Sequence, residues 1–145
     1  MNIRVIYVIG LSFIFLSSCV REDDTRIKIN FSKIVGNYPG QLKQCQAPDL
    51  LSDTLCNAGL DNTFNVIVQD FYTISVSNQS GLYDTLKMTY IKTDTLPNGN
   101  THYFEKASIN SLITLIFEEK TNSITFEDRI KTDINVNTSY FFGRK

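Results

Sequence analysis

From Thr63 to the C-terminus, apolar and polar residues alternate one by one in short runs broken by turn-forming residues. A period of two places successive side chains on opposite faces of an extended chain, so each run reads as a strand with one buried face. Phe64-Asn65-Val66-Ile67-Val68 and Tyr72-Thr73-Ile74-Ser75-Val76 are two such runs, split near Gln69-Asp70, and Asn78-Gln79-Ser80-Gly81 turns the chain. Leu86, Met88 and Tyr90 alternate with Lys87, Thr89 and Ile91 before Pro97-Asn98-Gly99-Asn100, a strong hairpin turn that returns through His102-Tyr103-Phe104. Ser108-Ile109-Asn110-Ser111 interrupts the pattern as a loop or bulge. Ile113, Leu115 and Phe117 then alternate with Thr114, Ile116 and Glu118, and Thr121-Asn122-Ser123 turns the chain into Ile124-Thr125-Phe126-Glu127. Thr138 to Gly143 closes the series. About eight strands separated by turns imply an all-β fold, an antiparallel up-and-down barrel first and a two-sheet sandwich as the alternative.

The N-terminal 30 residues follow other rules. Arg4 precedes Val5 to Phe15, a run that is apolar except at Gly10 and Ser12. As a helix, about 11 residues reach roughly 16 Å, too short for a hydrocarbon core of about 30 Å, so a cleaved leader is expected rather than a membrane span. At the end of the run stands Leu16-Ser17-Ser18-Cys19, which resembles the lipobox of bacterial lipoproteins. The resemblance implies cleavage before Cys19, a lipid (palmitate-type acyl chains) on its thiol and amine, and permanent residence at a membrane. An ordinary secretory leader with an incidental Cys19 is the alternative. Residues 1–18 are thus read as signal peptide, 19–30 as an acidic tether and 31–145 as the β-domain.

The tether carries Arg21-Glu22-Asp23-Asp24 directly after Cys19 and Val20. Acids in this place are ordinary solvated linker, and they also resemble the signal that exports Bacteroidetes lipoproteins to the outer face of the outer membrane. Surface exposure is the expectation, with the periplasmic leaflet as its rival. Loss of Arg4 from 14 basic residues leaves 13 against 15 acidic ones, and this near balance, with no Lys/Arg tract, argues against nucleic acid as a partner.

Gly36, Tyr38, Gly40 and Leu42 lie two apart and share one face of an opening strand, where Pro39 suits an edge or a bulge. This G-x-Y-x-G-x-L run resembles the first strand of the calycin-like, lipocalin-like domains of small Bacteroidetes lipoproteins. The resemblance implies a calycin-like barrel in place of an immunoglobulin-like sandwich. Cys45 and Cys56 are the remaining cysteines, and an oxidising envelope makes a disulfide between them the expected state, worth up to about 3 kcal/mol. A redox pair or metal thiolates fit poorly, because the spacing is not C-x-x-C and His102 is the single histidine.

The chain shows no G-x-S-x-G elbow, phosphate loop or H-E-x-x-H motif, and no catalytic residue, cofactor or metal is expected. His102, following a turn, is read as a polar surface residue. Glu118, Glu119, Glu127 and Asp128 are read as a charged edge that deters strand-to-strand aggregation, in preference to a cation site or a carboxylate pair. Asp-Thr-Leu occurs at residues 53–55, 84–86 and 94–96, which resembles the O-glycosylation acceptor of Bacteroidetes and makes Thr54, Thr85 and Thr95 candidate glycan sites. The functional expectation is a non-enzymatic envelope lipoprotein whose β-domain holds a small apolar ligand or a partner. The alternative, by resemblance to calycin-like proteins of the phylum, is inhibition of a secreted peptidase through the Cys45–Cys56 loop. An apolar patch at Leu50, Leu51 and Leu55 over a filled barrel would favour the partner, and an open apolar cavity the ligand.

Overall fold

A computed structural model describes residues 31–47, 55–132 and 135–145. The leader, Cys19, the tether, Leu50, Leu51 and Thr54 lie outside these. A 3-10 turn at Phe31–Lys33 leads into nine strands: β1 (Gly36–Ala47), β2 (Leu55–Cys56), β3 (Leu60–Val68), β4 (Thr73–Asn78), β5 (Leu86–Leu96), β6 (Gly99–Ala107), β7 (Ser111–Glu118), β8 (Ser123–Lys131) and β9 (Val136–Arg144). All pair antiparallel in one sheet, each long strand beside its successor, and β9 pairs back onto β1. The result is an all-β, barrel-like ring, not two facing sheets. Closure leaves few free strand edges and suits a chain of alternating pattern.

The alternation works as the sequence pattern requires. Phe64 and Val66 of β3, Ile74 and Val76 of β4, Met88 of β5, Phe104 of β6, Leu115 of β7, and Ile124 and Phe126 of β8 are fully buried. The rings of Phe64 and Phe141 stack at 4.0 Å, and Phe126 meets Phe64 at 4.9 Å and Tyr83 at 5.0 Å. With no accessible surface on these nine side chains, nothing the size of water adjoins them, and the ring is filled by its own residues.

Three local devices adjust the pattern. The β5–β6 register shifts between Tyr90 and Lys92, so the inward phase resumes at Thr93, and Ile91 is left exposed. At the closure Gly40 pairs with Gly143, and a Cβ on Gly40 would stand 2.0 Å from the Phe142 carbonyl oxygen. The strands approach so closely there that only glycine fits. Beyond Leu42 the partner of β1 changes from β3 to β2, and Cys45 is joined to Cys56 by a disulfide. Asn57 bridges the break, its backbone N–H donating to the Gln44 carbonyl and its Oδ1 accepting from the Gln44 N–H.

The ring therefore has two unlike ends. The entry end holds the 3-10 turn, the β3–β4, β5–β6 and β7–β8 connections and the C-terminus. The stapled end holds the disulfide and the β4–β5, β6–β7 and β8–β9 connections. No helix among the described residues is long and apolar enough to cross a membrane.

Candidate functional site

At the entry end, Phe31 drops into the ring and contacts Phe104 (5.2 Å), Tyr90 (5.4 Å) and His102 (5.8 Å). The turn is fastened by the Ile34 N–H donating to the Phe31 carbonyl and by Tyr38 Oη donating to the Ile34 carbonyl at 2.7 Å. Burial pushes the Tyr38 phenol up to about 12, so it stays a donor throughout the physiological range.

His102 corrects the surface reading: it is 4% exposed. Its parity is that of Phe104, and it pairs with Phe117, so alternation turns it inward despite its place near a hairpin. Tyr90 Oη donates to Thr93 Oγ1 (3.0 Å), Thr93 Oγ1 lies 2.7 Å from His102 Nδ1, and His102 Nε2 lies 3.1 Å from Glu119 Oε1. Lys33 Nζ donates to Glu119 Oε2 at 3.2 Å. Because a carboxylate only accepts, Nε2 carries the proton of its bond to Glu119, and Nδ1 shares a hydrogen bond with the Thr93 hydroxyl. Burial raises the Glu119 carboxyl, but the hydrogen bonds from His102, Lys33 and the Asn100 backbone outweigh it and hold the group below the usual carboxylate range.

Hydroxyl, imidazole and carboxylate in line are the parts of a nucleophilic triad. Here the Thr93 oxygen already accepts from Tyr90, one face of the imidazole stacks on Phe117, and Phe31 meets the ring edge-on. The relay is built to satisfy buried polar atoms and to pin the 3-10 turn, through Lys33, to β6 and β7.

The four acids do not form one edge. Glu118 is exposed and accepts from Thr121, Glu127 pairs with Arg129 at 2.7 Å on the outer face, and Glu119 belongs to the relay. Asp128 is only 6% exposed and corrects the charged-edge reading. It shares the inward phase of Ile124 and Phe126, and it accepts from Tyr83 Oη (2.9 Å) and Ser111 Oγ (3.2 Å). Burial, reinforced by the neighbouring Asp128 charge, drives the Tyr83 phenol well above its usual range. No group of three or more potential metal ligands occurs among the described residues.

The stapled end is where apolar surface and polar side chains meet. Leu42, Leu60 and Leu82 line an open groove of ≈ 490 Å³ with Gln44, Asn57 and Asn62. Leu60 is 63% and Leu82 50% exposed, and Leu55 beside the disulfide is also exposed. The far wall is rigid. Asn62 and Asn78 both donate to Ser80 Oγ, Tyr83 N–H donates to Asn78 Oδ1, and Gln79 N–H donates to the Thr63 carbonyl. Gly81 turns the loop at φ +72°, a conformation in the region that favours glycine. The sequence signals for this wall, Asn-Gln-Ser-Gly, read as a turn, but nothing local indicated that the turn would stand beside β1 and β3.

Of the Asp-Thr-Leu triplets, Thr85 is exposed just before β5 at the stapled end, and Thr95 is exposed near the tip of the β5–β6 hairpin at the entry end. No family model, curated protein or solved structure matches the chain.

Proposed function

We propose that this chain is a lipid-anchored envelope protein of calycin-like build, tethered through Cys19, whose stapled end binds a segment of a partner protein. The observation that carries the reading is the pairing of a filled interior with the groove between Leu42, Leu60 and Leu82. A ligand held inside needs apolar space, and the inward side chains occupy it. The groove instead combines the exposed Leu60 and Leu82 with the Gln44 carboxamide and the Asn57 amide nitrogen, the composition suited to an extended peptide. Inhibition of a secreted peptidase is one activity of this kind, with the Cys45–Cys56 hairpin as the contacting element.

Site-specific photo-crosslinking from position 82 in intact cells tests the reading, with position 89 on the outer wall as reference. The expected result is a discrete protein adduct from position 82 alone. Equal labelling from both positions, or a tightly held small molecule in native mass spectra of the purified protein, would contradict it. The lipid and the sugars are tested by intact mass: peptide mass plus acyl chains supports Cys19, and further hexose-type increments support Thr54, Thr85 and Thr95.

A further inference from the structure

We propose that the entry end of the ring is a membrane-contact face, seated on the lipid surface with the stapled end directed away from it. The inference rests on the anchoring of Cys19 proposed above and goes beyond it by assigning an orientation and the residues that touch lipid. The chain from Cys19 reaches the ring at Phe31, twelve residues on, a span of at most roughly 40 Å. Phe31 is packed against Tyr90, His102 and Phe104, so the described chain enters the ring at this rim.

The same rim exposes large apolar side chains. Phe71 is 68% exposed, and with Val35 and Val68 it borders a shallow recess beside the Phe31 plug. Tyr72 follows it, and Leu96 lies at the tip of the β5–β6 hairpin. An aromatic pair at a water–lipid boundary suits ring systems with one apolar and one polar end. Of the acids at this end, Asp70 is turned back onto its own loop and accepts from the Tyr72 N–H at 2.8 Å, Asp94 pairs with Lys92, Glu119 with Lys33, and Glu118 accepts from Thr121. Lys120 stands at the same end, where a long stem lets an ammonium group reach lipid phosphates, while Lys33 is held by Glu119 and Lys145 by the Val35 carbonyl. Strands of about nine residues at ~3.3 Å place the Leu60–Leu82 groove roughly 30 Å from this rim, free for a partner in solution.

The chain contains no tryptophan, so a single reporter reads the orientation. Phe71→Trp, Leu96→Trp and, at the opposite end, Leu82→Trp are each prepared in the full lipidated protein. All three positions are exposed, and the first two report on the same face independently. The protein is inserted into vesicles of phosphatidylethanolamine and phosphatidylglycerol brominated at mid-chain. The expected result is quenching of the Phe71→Trp and Leu96→Trp reporters by at least about twofold, with a blue shift, and none for Leu82→Trp. Lipid mass present with the entry-end reporters unquenched, or with Leu82→Trp quenched instead, overturns the orientation alone. An entry end that docks on a membrane protein rather than on lipid gives this first outcome. Absence of the lipid mass overturns the anchor and, with it, the inference.

Discussion

Glu119 receives hydrogen bonds from His102 and Lys33 and is held below the usual carboxylate range. The folded protein therefore binds fewer protons there than the unfolded chain, and the stabilisation is present above the ordinary carboxylate pKa and lost as pH falls through the lowered one. Glu119→Gln is expected to lower stability by about 1–2 kcal/mol at neutral pH, with the gap to the native protein closing below about pH 4. Urea denaturation across that range measures it. Exposed Asp70, bonded by the Tyr72 N–H, and Asp94, bonded by Lys92, are also held low, so acid sensitivity is reduced in the variant and not abolished.

Neighbouring acids on β8 give a sharper contrast. Asp128→Ala leaves the half-buried Tyr83 hydroxyl and Ser111 without their shared acceptor and should cost about 1–2 kcal/mol, while Glu127→Ala, paired on the surface with Arg129, should cost less than about 1 kcal/mol. This difference was in the sequence as phase, since Asp128 stands two residues from Phe126, but a cluster of charges reads as solvated surface unless each residue is assigned its face. His102 was misread in the same way. That its ring would meet Thr93 depended on the bulge at Tyr90–Lys92, which no residue type announces.

Among the elements, β1 carries the most. It pairs with β3, β2 and β9, holds half of the disulfide, and supplies the glycine that permits closure. Gly40→Ala forces a Cβ onto the Phe142 carbonyl and should destabilise the fold by about 3 kcal/mol, the upper part of the overpacking range. Gly143→Ala meets the buried Phe141 ring at 2.5 Å and the Tyr38 carbonyl at 3.0 Å and should also destabilise the fold, a comparison thermal melts can make. The double change Cys45→Ser and Cys56→Ser should cost up to about 3 kcal/mol and release the hairpin beside the groove, measured by denaturation and by loss of the position-82 adduct. Strand existence and most turns were readable because alternation and Gly, Asn and Pro punctuation are local signals. The length of β1, which runs on to Ala47 past the expected Leu42, was not, because pairing with β9 extends it from the far end of the chain.

At the scale of the whole molecule, closure converts a one-dimensional alternation into a filled ring, and the filling is the reason the proposed recognition is assigned to an end. One end receives the entering chain at Phe31 and the other carries a stapled, leucine-lined groove, a division that follows from the direction in which the chain enters β1. Function was the least legible level, because a groove made of Leu42, Leu60 and Leu82 has no signature along the chain. Methyl spectra of the isotope-labelled protein, recorded as it is titrated with bacterial envelope extract as the source of the proposed partner, test this most directly. Shifts confined to Leu60 and Leu82, with Leu42 at the groove floor, are the expected result, while Ile74, Met88, Leu115 and Ile124 stay unmoved. Shifts at those four interior positions would mean that the ring opens to a ligand, and would contradict the division of labour between a filled barrel and its ends.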